Sequence, residues 1–305
     1  MAVTIDTFEH EALFYEGVDG FVAGTLPFLR EGLDAGEAML VAVGPEKIAR
    51  LQAALGDDAG AVQFADMTVL GRNPGRIISA WWDFVDEHPQ RTLRGIGEPV
   101  WAGRGAAELV ECQLHESLLN VAFADTGPFR LLCPYDVAAL GDGAVHEARC
   151  SHPIVDAHES SHYRGPERLL SPFDTTLPAP TAPATTRGFD ADSLEEVRAT
   201  VAECADRAGL DRARAADLVL AVNEAAANSV VHGGGHGVLR AWRENGSLVC
   251  EVRDRGRIAD PLVGRRRAAP DAPTGRGVWI AHQTCDLVQL RSGADGTVVR
   301  MHMSH

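Results

Sequence analysis

The stretch VNEAAANSVVHGGGHG, residues 222–237, decides how the second half of the chain is read. Its small residues suit a helix, and the glycines after His232 end it. Each helical residue turns by about 100°, so Asp217, Glu224, Asn228 and Val231 share one narrow stripe. Leu218, Val222, Ala225 and Ser229 fall on the opposite side and supply the packing face. Glu224 and Asn228 are therefore expected to stand one turn apart, pointing away from the core, with His232 one turn further on. A carboxylate and an amide oxygen so placed suit Mg²⁺, a hard cation that keeps several waters, or the orientation of a hydroxyl nucleophile. Alone, the pair is also what any amphipathic helix shows on its wet face.

Three stretches downstream change that balance. SLVCEVRD (247–254) reads as a strand and runs into Asp254–Arg255–Gly256. TGRGVWIAHQ (274–283) places Gly275, Arg276 and Gly277 where a new helix begins. Glycine permits close backbone approach there, and the free N–H groups of a helix N-terminus suit phosphate oxygens. Asp295–Gly296–Thr297 turns into the last strand.

In this order the four stretches resemble the N, G1, G2 and G3 boxes of the Bergerat-fold (GHKL) ATPases, over roughly residues 190–303. Within that group NEAAANSVVHG looks most like the anti-sigma-factor serine kinases of the RsbW and SpoIIAB type. The resemblance implies Asn228 as the Mg²⁺ ligand and Glu224 as the group that activates the attacking hydroxyl. It implies that Asp254 bonds the adenine amino group of ATP, with Gly256 beside it and Thr297 supporting the same ring. Gly275, Arg276 and Gly277 would line the triphosphate. The family's G1 box usually runs Asp-x-Gly-x-Gly; taking DRGR as the box, Arg257 stands where the last glycine would be. IADPLVGRRRAAPDAPT (258–274) would be the ATP lid, its Arg265–Arg266–Arg267 run meeting phosphates, a partner or solvent.

The 305 residues allow two domains, each able to bury a core. Hydrophobic content of 45% and charged content of 23% describe a globular chain whose short apolar stretches offer no membrane span. The acidic N-terminus lacks the basic start of a secretory signal, so a cytoplasmic location is expected. A net charge of −15 argues against direct binding of nucleic acid, which needs a basic footprint. Lys47 is the only lysine, and it sits in GPEKIAR, so no Walker A phosphate loop exists. The six cysteines form no CxxC pair and read as reduced thiols. A tetrahedral metal site from Cys112, His115, Cys150 and His152 can be sketched against the plainer reading of packed side chains.

SPFDTTLPAPTAPATTRG (171–188), with four prolines and no apolar period, reads as a semi-stiff linker. It divides a first domain (1–165) from a second (189–305), with the linker region taken as 166–188. Before it, the runs MLVAV (39–43), VQF (62–64), TLRGIG (92–97) and FRLLCPYD (129–136) alternate with helical stretches. That alternation implies an α/β domain of Rossmann-like or RecA-like type with a mainly parallel sheet. After it, two helices precede mostly antiparallel strands, which suggests an α+β two-layer sandwich. Ser193 and Glu196 form a capping-box pattern at the first of those helices.

The first domain resembles the MEDS sensory domain through HEALFYEG, GRNPGRI, GEPVW, ECQLHESLLN and LLCPYD, over about residues 8–155. His10, Glu98, Trp101, Arg104, His115, Glu116, Cys133 and Tyr135 are its candidates for a ligand pocket near strand ends. A MEDS domain followed by such an ATPase is the arrangement of RsbA-like anti-sigma regulators. Its implied partners are a sigma factor and a STAS-type antagonist, with a second copy of the chain as a further partner. Two rivals remain open: a module that binds ATP only as a structural ligand while sequestering a sigma factor, and a sensor histidine kinase with His115 of HESLLN as acceptor. A gyrase-like motor is not expected, because no transducer domain follows before His305.

Overall fold

The computed structural model describes residues 7–165, 168, 170, 176–267 and 276–304. The chain divides into two compact units, Met1–Leu170 and Ser171–His305. The first unit begins β1 (Phe8–Tyr15), α1 (Gly17–Asp34), β2 (Ala38–Val43), α2 (Pro45–Leu55), β3 (Val62–Asp66), α3 (Met67–Leu70). It continues α4 (Ile77–Glu87), β4 (Leu93–Gly97), α5 (Ala106–Ala122), β5 (Phe129–Asp136), α6 (Asp142–Ser151), β6 (Ile154–Val155) and β7 (His158–Glu159). The sheet order is β3-β2-β4-β5-β1-β6-β7, parallel except for the last pairing. This is the expected α/β class with a mainly parallel sheet.

The four apolar runs read as strands lie in β2, β3, β4 and β5, and all six residues of β2 are buried, as a strand covered on both faces requires. Of the strands missing from the sequence reading the longest is β1, which pairs with β5 along its whole length. FEHEALFY carries Glu9, His10 and Glu11, which leave only its last four residues as an apolar run. Close packing over β4 depends on a missing side chain: a Cβ on Gly95 would sit 2.8 Å from the Trp81 ring.

The second unit runs β8 (Thr185–Asp190), α7 (Leu194–Ala208), α8 (Arg212–His232), β9 (His236–Glu244), β10 (Ser247–Asp254), α9 (Arg276–Thr284), β11 (Leu287–Gly293) and β12 (Gly296–Ser304). Its sheet, in order β11-β12-β10-β9-β8, is antiparallel throughout. Val197, Leu218, Val222 and Ala281 from the helices share one core with Leu239, Cys250, Val252 and Met301 from the strands. The two-layer α+β architecture follows from that single shared core.

Two local expectations are corrected. Ser193 makes no side-chain cap to α7; the cap lies three residues earlier, where Asp190 accepts from the Asp192 N–H and exchanges bonds with Ser193. The chain enters the helix through a 3₁₀ turn, which moves the capping position, and Glu196 pairs with Arg187 instead. Residues 185–188, read as linker, are the start of β8 and pair with β9.

Strand alternation sends Val249, Glu251 and Arg253 to the face of the sheet opposite the helices. There the fully buried Glu251 accepts from Arg253 Nε at 2.6 Å and from Arg300 Nε at 2.9 Å and Nη2 at 2.6 Å. Part of the linker lies along this face: Arg300 donates to the Pro178 carbonyl and Thr181 to Glu244, each at 2.6 Å. Burial raises the Glu251 carboxyl, but the arginine bonds outweigh it and hold the group below its ordinary 4.5.

Candidate functional site

The edge of the second unit is built where α8 ends, where α9 begins and where β10 meets β12. Asp211 starts α8 by accepting from the Arg214 N–H at 2.9 Å. Leu218, Ala221, Val222, Ala225, Ala226 and Ser229 form the buried face of that helix. Glu224 and Asn228 do not point wholly away from it. They are half-buried at its border, because residues one position apart are turned by about 100° rather than 180°.

What meets them is the first turn of α9. A Cβ on Gly277 would stand 2.8 Å from Asn228 Nδ2 and 3.1 Å from Glu224 Oε2. Only glycine lets that backbone rest on the Glu224–Asn228 edge, and it brings a helix N-terminus there. Arg276 opens the helix and is exposed. Gly275 falls outside the described residues, as do 268–274 of the lid stretch. Within the arginine run Arg265 is buried, while Arg267 lies over the Trp279 ring, so it is not a uniformly solvated loop.

At the other end, Asp254 is held on both oxygens: Oδ1 accepts from the Gly256 N–H at 2.7 Å and Oδ2 from Ser229 Oγ at 2.6 Å. Thr297 Oγ1 donates to the Gly256 carbonyl at 2.9 Å and lies 2.9 Å from Ser292 Oγ. Glycine is required here too, since a Cβ on Gly233 would lie 2.4 Å from Asp254 Cγ. The structure thus joins Asp254, Gly256 and Thr297 in one hydrogen-bonded group, and Gly277 to Glu224 and Asn228 in another. Ser229 and Gly233 were missed as site residues. Ser229 reads as packing in the helical pattern, and only the fold turns its hydroxyl to Asp254. Counted from Asp254, the last glycine of the box falls on Ile258, not Arg257. Ile258 donates its N–H to Ser292 Oγ at 2.8 Å, and Arg257 is exposed.

The candidates in the first unit separate into three groups. Glu98 binds Lys47 at 2.6 Å and Tyr15 at 2.5 Å, at the C-terminal ends of β4 and β1. Arg104 stacks on Trp101 and donates to the carbonyls of Pro99 and Gly71, which makes it a clamp between loops. His10, Cys133 and Tyr135 meet Glu116 on one face of the sheet, and the Tyr135 ring also packs edge-on against that of His152. Burial, then the neighbouring His152, hold the His10 ring down to about 4, and burial pushes the Cys133 thiol well up. His115 is buried in α5, which denies it the exposure that a phospho-acceptor needs. The Cys112, His115, Cys150, His152 site does not assemble: Cys112 donates to Pro99 and Cys150 faces His146. Their helices carry them to different neighbours.

The second unit is thus an open antiparallel sheet with helices on one face and a glycine-lined edge between helix ends. Residues 189–303 match the family model described as histidine kinase-like ATPase domain. Residues 9–153 match MEDS, the methanogen/methylotroph DcmR sensory domain. The chain therefore joins a MEDS domain to a histidine kinase-like ATPase domain, and the latter implies ATP as ligand. Among solved structures, the RsbU and RsbW domains of Rv1364c from Mycobacterium tuberculosis are similar at 23% identity, with a TM-score of 0.32. That match covers 40% of this chain and 32% of the other, so the chain spans about a third of that relative. No curated protein matches the chain. Among the described residues no helix is long and apolar enough to cross a membrane.

Proposed function

We propose that the chain is an anti-sigma regulator whose ATPase domain sequesters a sigma factor and phosphorylates a Ser or Thr of a STAS-type antagonist, under control of the MEDS domain. The observation that carries this reading is the seat of Gly277 on Glu224 and Asn228, which sets a phosphate-favouring helix end beside a carboxylate and an amide. ATP is the phosphoryl donor, and Asp254, held by Ser229 and Gly256, offers its remaining lone pairs to the adenine amino group. The donor set also fits Mg²⁺: Asn228 supplies a hard oxygen, and the ion when bound neutralises phosphate charge. Glu224 orients the attacking hydroxyl and takes its proton as the oxygen bonds to phosphorus and the bond to ADP breaks.

The test is to incubate the full chain with Mg-ATP and an antagonist protein and to follow phosphate transfer. Glu224→Ala is expected to keep ATP binding and lose transfer, while Asp254→Ala loses ATP binding. Phosphorylation on His115 instead would overturn the assignment. A second reading, sigma sequestration with ATP as a structural ligand only, is favoured by Ile258 in place of the closing glycine. Binding of ATP without any transfer by the wild-type chain selects it.

A further inference from the structure

Four potential metal donors meet in the first unit. They are His10 on β1, Glu116 on α5, Cys133 on β5 and His152 just after α6, all buried, with their donor atoms within 4.8 Å of one another. His10 Nε2 is 3.2 Å from Glu116 Oε2 and 3.4 Å from Cys133 Sγ, and His152 Nε2 is 3.4 Å from the same Glu116 oxygen. In a tetrahedral site with bonds of about 2.0–2.3 Å, neighbouring ligand atoms lie roughly 3.3–3.8 Å apart. The three measured separations are of that size.

The hydrogen bonds around the cluster assign the ring protons. Asn120 Nδ2 donates to the Ser151 carbonyl at 2.9 Å and the Glu116 carbonyl at 3.3 Å, so its oxygen faces His10 Nδ1 at 3.1 Å. His152 Nδ1 lies 2.8 Å from the Ala148 carbonyl, which can only accept. A neutral ring at either position therefore carries its proton on Nδ1 and turns a bare Nε2 inward. This is the outer arrangement that orients metal-binding histidines.

The inward atoms are then mismatched. Two nitrogen lone pairs face one carboxylate oxygen, and acceptor meets acceptor at a site without access to water. Glu116 Oε1 and His152 Nε2 make no hydrogen bond. Such a buried mismatch is costly, and one cation bound between the two Nε2 atoms and the Glu116 carboxylate would replace it with bonds.

We propose that His10, Glu116, Cys133 and His152 bind a divalent first-row transition metal, of which Zn²⁺ is the best fit. Two imidazoles, a carboxylate and a sulfur are borderline donors that suit zinc, and the absence of solvent describes a closed site. Binding displaces the Cys133 thiol proton, which leaves to solvent as the sulfur–metal bond forms. The site ties β1, β5, α5 and the segment after α6 together and so adds its binding energy to the fold of the first unit. It uses none of the residues of the nucleotide edge.

The full chain is stripped with a chelator and titrated with Co²⁺ as a spectroscopic probe, then with Zn²⁺ in competition. The expected result is one ion per chain, a thiolate-to-cobalt charge-transfer band with intense tetrahedral visible bands, and displacement by Zn²⁺. Cys133→Ser removes the charge-transfer band, Cys112→Ser keeps it, and Asn120→Ala, which only positions His10, weakens binding by about 10–100-fold. Near-ultraviolet circular dichroism identifies variants that fail to fold. Absence of the thiolate band from the stripped wild-type chain overturns the site whatever the variants do. So does a band that persists in folded Cys133→Ser, and either outcome leaves a shared proton between His10 and Glu116 as the account of the cluster.

Discussion

The polar group on the nucleotide edge and the polar group inside the MEDS domain are opposite solutions to placing charged side chains. On the edge, Glu224 and Asn228 are half-buried, Asp254 has both oxygens bonded, and Gly233, Gly256 and Gly277 keep side chains out of the way. Inside the first unit, His10, Glu116 and His152 are almost fully buried and pinned by neighbours, yet two of their atoms lack bonds. An edge lined by glycine backbone admits a large ligand with phosphates. A sealed group with converging lone pairs admits only something the size of an ion. The difference lies in which part of the chain supplies the contacts: helix ends and turns in one case, strand and helix interiors in the other.

Filling the open edge is the strongest way to break the contrast. Gly277→Val places a branched side chain where even a Cβ meets Asn228 at 2.8 Å. It is expected to abolish ATP binding while circular dichroism stays native, and titration calorimetry measures it. Glu224→Ala is the next probe: removal of a proton acceptor lowers a transfer rate by about 10²–10⁴-fold, read from phosphate incorporation at saturating ATP.

The second unit also holds one sealed charge group, and it sharpens the comparison because its atoms are paired. Glu251→Ala leaves Arg300 without its buried partner and is expected to cost about 3–5 kcal/mol of stability, measured by urea denaturation. Since the folded-state carboxyl sits below its unfolded value near 4.5, its contribution is present above that pH. It is lost as pH falls through the folded value, so the wild-type chain should lose stability in acid over that range and Glu251→Gln should lose less. Smaller effects belong to the scaffold of the edge. Ser229→Ala removes a bond to a carboxylate and should cost about 1.5–3 kcal/mol, seen as weaker ATP binding. Asp211→Ala removes the cap of α8 and should lower stability by about 0.5–2 kcal/mol without changing nucleotide affinity.

Much of the fold was legible because periodicity is written locally. MLVAV is buried on both faces and says so by having no polar residue, and the small-residue pattern of 212–232 marks a helix from Asp211 to the glycines. β1 was not legible, because Glu9, His10 and Glu11 break its apolar pattern, and only the fold shows their partners: Arg130 for Glu9, the buried cluster for His10 and the Ala157 N–H for Glu11. The shift of the α7 cap to Asp190 was equally hidden, since Ser193 and Glu196 fit the pattern and only the 3₁₀ entry removes them from it.

At the site, one-turn spacing brought out Glu224 and Asn228 and the helix start brought out Gly277, while Asp254 and Thr297 were nominated only through the resemblance of their motifs to the Bergerat-fold boxes. The partners of those residues come from far along the chain: Ser229 for Asp254 and Gly277 for Asn228. The four donors of the buried cluster are further apart still, with His10 set against Glu116 across 106 positions and against Cys133 across 123. A linear pattern paired Cys112 with His115 and Cys150 with His152, since neighbours in sequence are all that spacing can compare. The sheet pairs β1 with β5, and α5 packs across it, so register and side-chain direction choose His10 and Cys133 and leave Cys112 with a backbone carbonyl. Local pattern determines which elements form; which of their side chains share a space is decided only when the elements pack.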